Sequence, residues 1–222
     1  GLTTDFDNVN YFLQASLGFR PPQINEAYRL QKKQNVSDLD SEKLTMIEIG
    51  TTFNLENLDG SISIYKSKKR NSIFRDSENF IIDNGKTNHK GIELTVNIGI
   101  SERSNLVANL TYGDHKYDFN SDTSMREKIR IGNDIDTSPK LMANAILNTS
   151  ITENLSLAFE LERMDSYFTD AANIHEYEGH TLLHFRSDLN YSKKLKLYIR
   201  IDNLTDKDYA ERADFNAFGG DR

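Results

Sequence analysis

The run His175-Glu176-Tyr177-Glu178-Gly179-His180, with His184 just beyond, gathers imidazole and carboxylate groups of the kind that hold a divalent metal. Its spacing is one residue longer than H-E-x-x-H, which sets two histidines one helical turn apart, and the run leads into a strand. In an extended chain His180 and His184 share a face but stand about 13 Å apart at 3.3 Å per residue. They read as polar histidines of a loop or wall, and no metal site is assigned. Asp118-Phe119-Asn120-Ser121-Asp122 starts like a calcium loop. Thr123 stands where that loop needs Gly, and Ile129 where it needs the closing Glu, so an EF-hand is excluded in favour of an Asx-rich loop. Asn109 and Asn148 open Asn-x-Ser/Thr triplets inside strands, which is incidental and not glycosylation. Pro139, in Asp136-Thr137-Ser138-Pro139-Lys140, suits the start of a strand at a loop rim. No nucleophile sits with a base and no Gly-rich loop cradles phosphate. The expectation is a protein that is not an enzyme and carries no cofactor.

The elements that would position these residues emerge from composition and periodicity. The chain has 222 residues, no Cys, no Trp, 3 Pro, a net charge of −7 and 37% hydrophobic residues. Its mean hydropathy is −0.63. Without Cys there is neither a disulfide framework nor a thiolate metal site. The acidic balance argues against nucleic acid, which needs a basic footprint. No uninterrupted apolar run exceeds three residues, whereas a membrane-spanning helix needs about 20. Averages of this kind still permit a membrane protein whose apolar residues alternate with polar ones.

Alternation is the dominant pattern. Leu195, Leu197, Ile199 and Ile201 enclose Lys196, Tyr198 and Arg200, and Leu155, Leu157, Phe159 and Leu161 repeat the scheme. Ile92, Leu94, Val96, Ile98 and Ile100 alternate with Glu93, Thr95, Asn97 and Gly99. Period two gives a strand one apolar and one polar face, and would scatter these residues around a helix. The same test predicts nine strands, at 9–19, 44–55, 61–74, 89–100, 104–117, 139–151, 154–168, 180–191 and 194–205. Most are at least ten residues long, against about 5–6 for an ordinary globular strand and about 9–11 for a tilted spanning strand. Connections after even-numbered strands are tight (56–60, 101–103, 152–153, 192–193), and those after odd-numbered strands are long (20–43, 75–88, 118–138, 169–179). All tight turns then lie on one side of the sheet and all long loops on the other. Outer-membrane barrels sort their connections this way, and soluble Greek-key sandwiches do not.

Gln14, Glu48, Asn97, Asn109, Asn144, Asn148, Glu160, Glu162, Arg186, Asp188, Arg200 and Asp202 fall on the polar face, which lines the lumen if the apolar face meets lipid. One strand conflicts with this. Continuing the register of Ile62 and Ile64 turns Lys66 and Lys68 toward lipid, which a bulge or a position at the membrane rim would relieve. An odd count of nine strands cannot close a single-chain bacterial barrel, so the whole of 1–222 is expected to be part of a larger one.

Five stretches resemble the C-terminal half of a TonB-dependent outer-membrane receptor. Gly18-Phe19-Arg20-Pro21-Pro22 followed by Asn25-Glu26-Ala27-Tyr28-Arg29 is similar to its G-F-R-x-P…E-x-Y box. Leu44 to Gly50 resembles its returning E-x-G strand, and Asn84 to Leu94, with Gly91 and Glu93, its N-x-G…G-x-E strand. Asp170-Ala171-Ala172-Asn173 with Tyr177 to Leu182 resembles its loop before the penultimate strand. Ile201-Asp202-Asn203-Leu204-Thr205-Asp206-Lys207-Asp208-Tyr209 is similar to its N-L-T-D-x-x-Y signature.

The resemblance implies an all-β, antiparallel transmembrane barrel of about 22 strands, of which about nine are present, with the plug, the TonB box and the closing strand outside this chain. It implies a Gram-negative outer-membrane location in contact with lipid and lipopolysaccharide. It also implies uptake of a ferric siderophore or similar nutrient, driven by the TonB–ExbB–ExbD complex through the plug. Haem receptors pair a similar Phe-Arg-Pro-Pro box with a loop histidine, and residues 20–43 hold none, which argues against haem. Loops on a rigid scaffold concentrate binding residues, so Tyr117, Phe119, Arg126, Tyr167, Phe168, His175 and Tyr177 are candidate ligand contacts. Their aromatics have two readings, an interfacial girdle or a stacking surface for an aromatic chelator. The competing expectation for the whole chain is a soluble antiparallel β domain that binds glycans through its loops.

Overall fold

The computed structural model describes residues 1–28, 39–75, 81–122 and 128–213. Twelve strands form: β1 Leu2–Phe6, β2 Val9–Arg20, β3 Glu42–Leu55, β4 Leu58–Arg75, β5 Ile81–Ser101, β6 Ser104–Tyr117, β7 Leu141–Ser150, β8 Leu155–Met164, β9 Tyr167–Phe168, β10 Glu176–Tyr177, β11 His180–Ser192 and β12 Leu195–Ile201. One short helix, α1, covers Ile24–Tyr28. Ten strands build a single antiparallel sheet in the order β1-β2-β3-β4-β5-β6-β7-β8-β11-β12, and β9 pairs with β10 in a separate ribbon inside a loop. The large sheet is open, with β1 and β12 at its edges. The tight turns all lie at one end and the longer connections at the other.

Four boundaries depart from expectation. β1 is an additional strand; its five residues, with Thr4 between Leu2 and Phe6, carry too little alternation to declare it. The connection expected at 75–88 is largely strand, because β4 runs to Arg75 and β5 starts at Ile81. Register shifts between Arg70 and Ser72 and between Ser72 and Phe74 break the period there, and Asn71 has φ 54°. The strand expected to reach 168 ends at Met164, and the one expected to reach 205 ends at Ile201, with Asn203 at φ 51° beginning a turn. The left-handed backbone at Asn203 turns the chain out of the sheet after β12.

Cross-strand register assigns every side chain to a face. Ile49, Ile64, Ile92 and Tyr112 lie in one row, and Leu147, Phe159, Phe185 and Ile201 in another. Ile47, Ile49, Ile64, Phe159 and Ile199 on that face are all exposed, and Leu17 and Phe19 are 86% and 81% exposed. So broad a bare apolar surface is matched by lipid, not water. The opposite face carries the polar set: Asn144 Nδ2 donates to Glu160 Oε1 at 2.7 Å, and Asn105 to Asn97 and Asn97 to Asp59 each at 3.1 Å.

The lysine conflict is settled by the ladder. Pairing of β4 with β3 and with β5 is unbroken through Lys66 and Lys68, so both point outward, and the bulge comes only after Arg70. Leu58, Ile62, Ile64 and Lys66 share the outer face. From Leu58 to Lys66 the strand climbs about 26 Å, or roughly 20 Å of height at a tilt of about 40°. Lys66 therefore stands at the upper rim, where an outward lysine costs about 0–1 kcal/mol. Leu94, opposite Ile62, lies mid-band. Leu94→Arg is expected to destabilise the barrel by about 2–4 kcal/mol, whereas Thr95→Arg on the polar face is tolerated. Urea unfolding of the two variants in bilayers measures the difference.

Candidate functional site: the rim of long loops

Two loop connections, the β6–β7 segment and the β8–β11 segment, fold onto each other above the sheet. The Asp134 amide donates to Asn173 Oδ1 at 2.7 Å and Asn173 Nδ2 donates to the Asp134 carbonyl at 2.9 Å. Asn133 Nδ2 reaches the Ala171 carbonyl at 2.9 Å, and the Thr137 amide donates to the Phe168 carbonyl at 2.8 Å. Buried Asp170 folds its own loop by accepting from the Ile174 amide at 3.1 Å and the His175 amide at 2.6 Å. Asn173, at φ 60°, supplies the left-handed residue that turn needs. Burial alone would raise the Asp134 pKa, but hydrogen bonds from Lys116 and Lys140 hold it below the ordinary carboxylate value.

Beneath these loops the aromatics pack on one another. Phe74, Tyr117 and Phe119 sit with ring centroids about 6 Å apart around buried Ile129 and Ala171. Tyr117 is itself buried and donates to Asp136 Oδ1 at 2.6 Å. Tyr167 stacks on Tyr177 at 5.3 Å. The Tyr167 hydroxyl accepts from the Ala213 amide at 2.7 Å and donates to its carbonyl at 3.0 Å, while the Ala210 amide donates to the Tyr177 hydroxyl at 3.0 Å. Of the candidate contacts, Tyr117 and Tyr167 are thus buried supports, Phe119, Phe168 and Tyr177 are half-buried, and His175 is exposed. Arg126 lies outside the described residues.

A cavity of about 290 Å³ opens beside the first cluster, lined by Lys69, Phe74, Thr87, His89, Tyr117 and Asp136. His89 and His115 face each other across β5 and β6 with their Nδ1 atoms 2.9 Å apart. One nitrogen must donate and the other accept, so at least one ring is neutral. Neither histidine drew attention in sequence; only the register brings them together. Among the described residues no three His, Cys, Asp or Glu side chains converge as a metal group.

The motif residues have identifiable work at the strand ends. Arg20 donates through Nε to Glu42 Oε2 at 2.5 Å and through its two terminal nitrogens to Glu26 at 3.0 and 2.9 Å. Lys69 meets the other Glu42 oxygen at 2.9 Å, where the Ile73 amide also donates at 2.8 Å. Glu26 in turn caps the first turn of α1 by accepting from the Gln23 amide at 2.7 Å, with Pro21 and Pro22 leading in and Tyr28 closing the helix. Gly18 and Phe19 place Arg20 on the inner face of β2. Gly91 lies under the Tyr65 ring, and Glu93 pairs with Ser63 on the same face. Asn203 brackets the following turn, with Oδ1 accepting from the Lys207 amide at 3.0 Å and Nδ2 donating to its carbonyl at 2.9 Å. The Leu204 amide donates to the Leu183 carbonyl at 2.7 Å, Asp206 sits at φ 48°, and Tyr209 stacks on buried His180 at 5.0 Å.

This geometry agrees with a family match. Residues 1–204 match the family described as TonB dependent receptor-like, beta-barrel. The chain belongs to that family. As a TonB-dependent receptor barrel it is a Gram-negative outer-membrane protein and not an enzyme, and the soluble glycan-binding reading is set aside. It is 25% identical over 182 residues to the probable TonB-dependent siderophore receptor PiuA of Acinetobacter baumannii, covering 79% of this chain and 24% of that protein. The crystal structure of PiuA superposes with a TM-score of 0.75 at 20% identity, over 92% of this chain and 31% of that one. The unliganded ferric citrate transporter FecA gives 0.77 at 19% identity, over 95% and 33%. The copper transporter OprC gives 0.75 at 17%, over 94% and 33%. The chain thus spans about a quarter of its curated relative, and the same wall architecture occurs with different cargo.

Proposed function

We propose that this receptor barrel takes up a ferric siderophore or comparable iron chelate across the outer membrane, with residues 1–222 supplying wall and outer rim. The plug and the TonB–ExbB–ExbD complex acting through it lie outside these residues. The observation that supports this best is the rim itself: two long loops joined by reciprocal Asn173–Asp134 hydrogen bonds over a buried aromatic base, with a cavity below. A rigid base under exposed loop tips presents a ligand surface without ordering cost at capture. Phe119, Phe168, His175 and Tyr177, with Arg126, are the side chains we assign to ligand contact; Tyr117 and Tyr167 hold them in place. The likeness to siderophore receptors favours an iron chelate over other nutrients.

The test is uptake from a panel of radiolabelled ferric chelates, with a copper chelate alongside, by cells producing the intact receptor. One ferric chelate should be taken up, and Phe119→Ala/His175→Ala should reduce its binding at least tenfold while receptor abundance stays constant. Uptake of copper alone, or of no ferric chelate by abundant receptor, would overturn the iron reading.

A further inference from the structure

His89 and His115 stand opposite each other on the inner face of β5 and β6, one residue above the level at which Lys66 pairs with Lys90. Their rings are tilted by 53° with centroids 5.1 Å apart, and the nitrogens that meet are both Nδ1. Each ring has a prepared seat. His89 Nε2 lies 2.8 Å from Thr87 Oγ1. The His115 ring lies over Gly113, where a Cβ would collide with its Nε2. Burial pushes both rings below the ordinary histidine value, His89 to about 4, so both are neutral at neutral pH. The buried aromatic cluster of the rim includes neither histidine, so packing does not account for the pair. The cavity of about 290 Å³ reaches His89 and gives a solute access to it.

We infer that His89 and His115 form a two-coordinate site for a soft monovalent d10 cation of the Cu(I) class, held between their Nδ1 atoms at the edge of the cavity. Imidazole is a ligand for copper. When each ring carries its proton on Nε2, the two Nδ1 lone pairs face each other. A metal–imidazole bond is about 2 Å long, so a linear unit sets the nitrogens about 4 Å apart. The side chains therefore part by about 1 Å from their present 2.9 Å. No proton is lost in this step. The proton on the donating Nδ1 moves to Nε2 of the same ring, and a protonated His89 Nε2 donates to Thr87 Oγ1. Such an outer hydrogen bond fixes the tautomer of a ligating histidine. Ligand count sets the selectivity. Among the described residues no third His, Cys, Asp or Glu completes a metal group here, so Zn(II), which takes four ligands, is not held. Lys69 and Arg75 line the cavity along with Asp136, and a single positive charge meets less repulsion from them than a double one. The site belongs to the wall and lies apart from the side chains assigned to ligand contact.

The test titrates the intact receptor, purified in detergent in chloride-free buffer, with silver nitrate as a redox-inert probe, and reads bound metal by native mass spectrometry. Wild type should hold one silver ion more than H89N/H115N at equal free metal, and H89N or H115N alone should bind that ion at least tenfold more weakly. Thr87→Val should weaken it by a smaller factor, because the ring is kept and only its outer hydrogen bond is lost. Cu(I), generated with ascorbate under argon, should displace the silver. Zinc sulfate should distinguish wild type from the double variant not at all. Silver K-edge absorption of the wild type at one equivalent should report two nitrogen neighbours, a measurement that stands even where a variant does not fold. Equal silver content in wild type and the folded double variant would overturn the site, as would a sulfur shell around the silver. Retention of zinc in preference to silver would replace the two-coordinate cation by a divalent ion with further ligands, and would overturn it too.

Discussion

Glu42→Gln is expected to release the base of the β2–β3 loop, with a local loss of about 2 kcal/mol and a fall of roughly 30-fold in protection of the Ile73 amide. Glu42 is 3% exposed and is the point where Arg20, Lys69 and the Ile73 amide meet. Removing the carboxylate leaves two cations facing a neutral amide. Because Arg20 and Lys69 are 36% and 37% exposed, they rehydrate in part, which keeps the loss below that of a fully buried pair. Arg20 also carries the bidentate pair to Glu26, so α1 loses its anchor as the clamp slackens.

The same clamp gives a pH dependence. It lies above outward-facing Lys66 and Lys68, outside the membrane-spanning segments. Burial pushes the Glu42 pKa up, but the bonds from Arg20, the Ile73 amide and Lys69 outweigh it and bring the carboxyl down to about 2 from an ordinary 4.5. Glu26 is likewise lowered. A carboxylate depressed in the folded state contributes stability that is complete above the unfolded value and is lost as pH falls through the folded value. Wild-type protection at Ile73 should therefore hold down to about pH 4.5 and decline toward pH 2, while Glu42→Gln should be low and flat across that window. Hydrogen exchange on the intact receptor in detergent reads both, and an unchanged Ile73 amide in Glu42→Gln at neutral pH would dismiss the clamp.

What was legible in the sequence follows from how local each signal is. Alternation over ten residues announces a strand and its faces, so β2, β3, β6, β8, β11 and β12 and their loop sorting could be read directly. β1 could not, since five residues barely span two repeats. The upper part of β5, residues 81–88, was hidden because register shifts against β4 near Ser72 interrupt the period just where the strands rise past the membrane. Arg20 and Glu26 stand in a recognisable box six residues apart, but their real hub, Glu42, is 22 residues from Arg20 and 31 from Ile73. His89 with His115 and Asn173 with Asp134 are likewise products of register and loop docking, 26 and 39 residues apart. Nothing in one strand's pattern encodes which residue the next strand sets opposite.

Gly91→Ala is expected to prevent assembly of the barrel. A Cβ there would stand 2.6 Å from the Tyr112 carbonyl oxygen of β6 and 2.6 Å from the Tyr65 ring of β4. β5 is hydrogen-bonded on both sides, so it cannot swing away from one neighbour without breaking the other ladder. Overpacking usually costs about 1–3 kcal/mol through shifted side chains; here one obstacle is backbone, and the cost should exceed that range. The Tyr65 ring can move, the Tyr112 carbonyl cannot, so Tyr65→Ala in the Gly91→Ala background should recover only part of the lost receptor. Gly99, in the same strand, is the control: its nearest obstacle is the Asn57 side chain at 3.7 Å, an ordinary contact. Immunoblots of outer-membrane fractions should find Gly99→Ala near wild-type abundance, Gly91→Ala nearly absent and the double variant between them. Full recovery by Tyr65→Ala would locate the clash in the ring alone and contradict the close approach of the two backbones.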